Sequence, residues 1–102
     1  MTLSAISRVH PVDVLTLPGL TMAEYFGRAS SGDEQLSACL ATVPTQGEEA
    51  HQLLEFDEYV IVVSGELWVA HSSQTFVIVQ GEGLLLRAGA RVLWRWPKPC
   101  KL

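Results

Sequence analysis

The sequence predicts an all-β fold: one small domain of antiparallel strands forming a closed or double-sheet structure. Three observations carry that expectation. Apolar residues recur every second position or in short β-branched runs, no helical period outlasts a single turn, and Gly-containing turns punctuate the chain at short intervals. Closed and double-sheet all-β architectures are built from such strands.

In chain order, residues 1–20 form an N-terminal segment in which Val12, Val14, Leu15 and Leu17 suggest extended chain and Pro18-Gly19 a turn. Proline cannot donate to a β-ladder, so Pro11 and Pro18 favour an edge position. Met22 to Arg28 fits a strand better than one helical turn, and Ser30 to Glu34 reads as a loop. The barrel core is expected over residues 36–96. It begins with Leu36 to Val43, apolar or small on both faces and therefore expected to be covered on both. Pro44 to Gly47 turns into a polar, acidic stretch, which becomes the run Tyr59-Val60-Ile61-Val62-Val63 and stops at Ser64-Gly65. A short β-branched run between turn residues predicts a buried strand. Glu66 to His71 continues as its hairpin partner, Ser72 to Gln74 is a loop tip, and Thr75 to Val79 is a further strand. After Gln80 to Gly83 come a short apolar segment, Leu84 to Arg87, and a turn at Ala88-Gly89-Ala90. Arg91 to Trp96 has a two-residue period, with Val92, Trp94 and Trp96 on one face and Arg91, Leu93 and Arg95 on the other. Pro97 and Pro99 are expected to end pairing.

Composition bounds the function classes. The 102 residues make a single domain, residues 1–102, with no room for a second core. Apolar residues are 48% and charged ones 18%, ample for a packed interior. A net charge of −4 with no basic cluster argues against nucleic acid and against an anionic membrane. Neither a signal pattern nor an apolar run of spanning length is seen, and Cys39 and Cys100 alone are no disulfide framework. The expectation is a cytoplasmic protein with reduced thiols.

Two glycine-punctuated segments resemble the motifs of the cupin superfamily. Glu58, six residues and Gly65 match the end of the first motif, with His51 at its first histidine seven residues earlier. Thr45 stands where the opening glycine belongs. Gly81, Gly89 and Val92 match the second motif by spacing, although Arg87 stands in place of its proline and Val92 of its histidine. Within the superfamily the chain resembles the small single-domain cupins of the ethanolamine-utilisation type. That resemblance rests on Glu58 to Glu66, on Ala88-Gly89 followed by Trp94, and on the tail from Trp94 to Lys101. It implies an antiparallel double-sheet jelly-roll β-barrel, and a divalent metal held by three histidines and the motif glutamate. Only His51 and Glu58 survive of those four, because Leu53 and Val92 replace the other two histidines. No cofactor is therefore expected.

Three readings of function follow. The first is a small-molecule-binding cupin without the standard metal, its pocket shaped by His51, Leu53, Glu58, Val92 and Trp94, with His51 and Glu58 as acid–base candidates. The second is a metal-dependent enzyme whose site is rebuilt from His51, Glu55 and Glu58. The third is a structural or assembly protein that binds protein partners. Desolvation at the head of an apolar strand would raise the pKa of Glu58, whereas an ion pair with Arg87 or Arg91 would lower it. Trp94 and Trp96 either line a cavity or fill the core. A homodimer is expected, through edge strands or a face marked by Trp68. Cys39, mid-strand among small residues, is an inert thiol.

Overall fold

A computed structural model describes residues 5–102. Ten strands make up the regular structure, and the described residues include no helix. They are β1 (Val12–Leu17), β2 (Leu20–Phe26), β3 (Ala38–Val43), β4 (Gly47–Leu53), β5 (Glu58–Ile61), β6 (Glu66–His71), β7 (Gln74–Val79), β8 (Gly83–Leu86), β9 (Arg91–Trp96) and β10 (Cys100–Lys101). The chain divides into two compact units, one ending at Ala41 and one spanning Thr42–Leu102.

In the first unit β1 pairs antiparallel with β2, and β1 takes the sheet edge, the position that the flanking prolines favour. The loop after β2 is held by its own polar groups. The Glu24 carboxylate accepts hydrogen bonds from the backbone N–H groups of Ala29 and Ser30, at 2.9 and 3.0 Å, and from the Ser30 hydroxyl at 3.2 Å. That carboxylate fills the space where a Cβ of residue 27 would stand, so only glycine fits there at φ 145°. Leu36 lies outside β3 and is exposed, so the doubly covered strand expected from Leu36 onward is shorter than its apolar run.

The second unit contains a four-stranded antiparallel sheet in the order β4-β9-β6-β7 and a two-stranded antiparallel sheet of β5 and β8. Its core includes Leu54, Val62, Leu67, Val69, Val92, Trp94 and Trp96, together with Val43 and Cys100. The two faces of β9 fall as the two-residue period predicts. Val92, Trp94 and Trp96 are buried, and Arg91 and Arg95 are exposed. The prolines do not end pairing, however. β10 follows Pro99 directly and pairs antiparallel with Thr42 and Val43, and Lys101 also bridges to Ser64. A proline interrupts a ladder only at its own missing donor, so pairing resumes one residue later.

The strand expected to be buried, Tyr59 to Val63, is buried on one face only. Glu58, Val60 and Val62 turn inward, while Tyr59, Ile61 and Val63 are exposed. Strand alternation overrides the uniform hydrophobicity of the run. Immediately after it, the motif glycine Gly65 has φ 85°, and a Cβ there would meet the Pro99 carbonyl oxygen and the Cys100 backbone. Both the left-handed backbone and the close approach exclude a side chain. Gly65→Ala is therefore expected to destabilise the protein by about 2–4 kcal/mol in urea unfolding, the combined cost of backbone strain and overpacking.

Candidate functional site

The site region is assembled by the pairing of β4 with β9. Opposite residues are Gly47 and Trp96, Glu48 and Arg95, Glu49 and Trp94, then Gln52 and Val92, Leu53 and Arg91. Between the Glu49–Trp94 pair and the Gln52–Val92 pair, β4 advances three residues while β9 advances two. One extra residue is thus accommodated as a bulge between Glu49 and Gln52. Residues opposite each other in an antiparallel ladder share a face. Glu49 and Gln52 therefore lie on the side of Trp94 and Val92, and Leu53 lies on the side of exposed Arg91.

Gln52 holds that position by a hydrogen bond, the Trp94 indole Nε1–H donating to its Oε1 at 3.0 Å. On the opposite face Arg95 donates from Nε and Nη2 to the Glu48 carboxylate, at 3.0 and 2.8 Å. Both groups there are half exposed, so the pair contributes little stability. The turns beyond the strands are latched together. Leu54 N–H donates to the Ala90 carbonyl, Gly89 N–H donates to the Leu54 carbonyl, and Asp57 accepts from Ala88 N–H and Arg87 Nη1 at 2.9 and 3.0 Å.

That latch separates two neighbouring carboxylates. Asp57 is held below its ordinary 3.8, first by the Ala88 hydrogen bond and then by Arg87. Glu58, next in sequence, faces inward and is half-buried, with Arg87 committed to Asp57. Burial pushes its carboxyl up from the ordinary 4.5, and the negative charge of Glu49 adds to the shift. Of the two opposed expectations for Glu58, desolvation prevails.

The five pocket residues expected from the sequence fall in different settings. Val92 and Trp94 are buried on the inward face of β9, and Glu58 is half-buried on β5. His51 lies in the bulged stretch and is exposed, and Leu53 is 50% exposed opposite Arg91. Glu55 is exposed in the turn after β4. Gln52 and Glu49 are the residues the sequence did not single out. Only the bulge puts both on the Trp94 side of the sheet, Glu49 partly covered and Gln52 exposed, and no residue type at that point announces one. His71 sits apart, its Nδ1 3.1 Å from the Arg91 carbonyl oxygen.

No protein-family model matches the chain. In sequence it is similar to a segment of endoribonuclease YbeY of Myxococcus xanthus (strain DK1622), 34% identical over 77 residues, which are 76% of this chain and 26% of that protein. In structure it is similar to a putative ethanolamine utilization protein Q of Salmonella typhimurium LT2, with a TM-score of 0.71 at 17% identity, over 80% of this chain and 63% of that one. A cupin superfamily protein of Desulfitobacterium hafniense DCB-2 aligns over 98% of this chain and 77% of its own, with a TM-score of 0.60 at 10% identity. The chain has the cupin fold. It spans about a quarter of the Myxococcus protein and less than two thirds of the Salmonella protein.

The metal centre associated with cupins does not fit these residues. Leu53 and Val92 bring no donor atom, and among the described residues no three His, Cys, Asp or Glu side chains gather where a metal ion could be held. His51, Glu55 and Glu58 are thus not drawn together as a ligand set. Both thiols are free, and burial raises the pKa of each, the setting of an unreactive cysteine. Among the described residues no helix is long and apolar enough to cross a membrane.

Glu58 binds its proton more tightly folded than unfolded. Its contribution to stability is therefore greatest at acid pH and falls as pH rises from about 4.5 through the folded value. Glu58→Gln is expected to be more stable than the natural protein at neutral pH, with the difference vanishing below about pH 4 in urea unfolding.

Proposed function

We propose that this cupin binds a small polar molecule without a metal, on the inward side of β4 and β9 beside Glu58. The observation that carries the reading is the β4–β9 register, which sets Glu49 and Gln52 on the side of Trp94 and Val92. An apolar and aromatic wall with a few convergent polar groups is the composition of a small-molecule site. Gln52 spends its carbonyl oxygen on Trp94 and keeps its NH2 as a donor. Glu58 is the group best placed to give or take a proton, because a raised carboxyl pKa moves toward neutral pH. His51, exposed at the bulge, is the second acid–base candidate, and the Trp94 ring supplies the wall.

Thermal-shift screening against small polar acids, amines and polyols, followed by calorimetry, tests the reading. A hit is expected to lose at least about tenfold in affinity on Glu58→Gln and on Gln52→Leu. A hit indifferent to both substitutions would remove the site. Metal analysis of protein purified without chelator separates the metal-dependent alternative, which requires more than roughly a tenth of an equivalent bound.

A second reading, an assembly domain for protein partners, is favoured by the match to a quarter of an endoribonuclease. In that reading the chain supplies an accessory domain to an RNA-processing enzyme and leaves RNA contact to other parts. A chain of net charge −4 has little to neutralise phosphates with. The purified chain alone is then expected to leave a labelled RNA intact, and cleavage by it would sink this version.

A further inference from the structure

Val92, buried in β9, has a polar side chain on each side of it. On the β4 side Gln52 pairs with it across the ladder. On the β6 side the ladder to β9 runs through Trp68–Arg95, Val69–Trp94 and Ala70–Leu93. One step further along both strands stands His71, and strand alternation gives it the face of buried Val69 and Trp94. Gln74 lies opposite His71 on β7 and shares that face.

A hydrogen bond fixes the imidazole beside Val92. His71 Nδ1 is 3.1 Å from the carbonyl oxygen of Arg91, the residue just before Val92. A carbonyl oxygen only accepts, so Nδ1 carries the proton and donates. In the neutral imidazole the second nitrogen, Nε2, is then unprotonated and presents its lone pair on another edge of the ring. The side chain is only partly covered, which leaves it open to a solute. Two strand spacings, roughly 9.5 Å, separate the backbones of β4 and β6. A short molecule therefore spans the gap between Gln52 and His71. Gln52 offers it a donor, since its carbonyl oxygen accepts from the Trp94 indole and its NH2 is left over. His71 offers an acceptor. Neighbouring hydroxyl groups answer both, because each can donate and accept. A carboxylate would set lone pairs against Nε2 and a negative charge beside Glu49 and Glu58, and an ammonium would have nothing to accept from Gln52.

We infer that His71 contacts the ligand, its Nε2 accepting a hydrogen bond from a hydroxyl group, and that the ligand is a short neutral polyol bridging Gln52 and His71 over Val92. The inference rests on the small-molecule site proposed above and names the class of molecule it takes. The Arg91 carbonyl holds the ring in the tautomer that the contact needs, so His71 selects hydroxyl groups over carboxylates.

Calorimetry of the full chain against glycerol, erythritol and myo-inositol, with succinate and putrescine as contrasts, tests it. At least one polyol is expected to bind, and more tightly than either contrast. His71→Asn keeps an amide donor for the Arg91 carbonyl but has no Nε2. It is expected to keep the natural urea midpoint and to weaken polyol binding by about tenfold, the loss of one hydrogen bond. Long-range proton–nitrogen NMR of the natural protein at mildly alkaline pH needs no variant. It is expected to show the proton on Nδ1, and the Nε2 resonance moving as polyol is added. A proton on Nε2 instead, an Nε2 resonance that polyol does not move, tighter binding of succinate or putrescine, no polyol bound, or an affinity unchanged by His71→Asn would each overturn the assignment. A polyol that responds to Glu58→Gln and Gln52→Leu but not to His71→Asn leaves the site standing and His71 outside it. A polyol indifferent to all three substitutions removes both.

Discussion

The extra residue in β4 is the constraint on which the site depends. A β-strand has a strict two-residue period, so inserting one residue exchanges the faces of everything beyond it. Before the bulge, Glu48 lies outward against Arg95 and Glu49 inward with Trp94. After it, Gln52 takes the Trp94 side and Leu53 the side of Arg91. Had the ladder run on without interruption, Leu53 would have kept the face of Glu49, and the Trp94 indole would have lost Gln52 as its acceptor. A buried indole N–H without a partner carries a desolvation cost, so the Gln52–Trp94 bond and the bulge support each other.

The broad architecture was legible because it follows from local chemistry. Two-residue alternation named the faces of β9, and the turn glycines marked where strands end. Gly65 illustrates why spacing alone was informative: its left-handed backbone and its contact with Pro99 are demands that one residue type meets. Other features depended on tertiary context. The hydrophobicity of Tyr59 to Val63 suggested cover on both faces, yet composition cannot say whether a second layer lies over a strand. β10 escaped notice because it is two residues long and borrows its ladder from Thr42 and Val43. The placement of Gln52 on the Trp94 side was hidden because a bulge has no fixed sequence signature when no glycine is needed to form it.

Asp57 and Glu58 show how far the environment, rather than residue type, decides acid strength. They are adjacent and carry the same functional group. Asp57 lies in a turn where a backbone N–H and a guanidinium converge on it, and Glu58 is the first residue of a strand whose inward face is apolar. The turn holds one carboxylate against its cation, and the strand that begins at the next residue sends the other inward away from it. The Arg87 guanidinium is thereby engaged one residue away, and burial together with the charge of Glu49 raises the pKa of the inward group.

Cys100 gives the C-terminal pairing a chemical signature. Its thiol is buried within a two-residue strand held by a short ladder to Thr42 and Val43 and by the bridge from Lys101 to Ser64. A ladder that short opens more readily than the core beneath it. An alkylating reagent can reach the sulfur only while the tail is peeled away, so the speed of labelling reports how often the last strand detaches while the remainder of the protein stays folded.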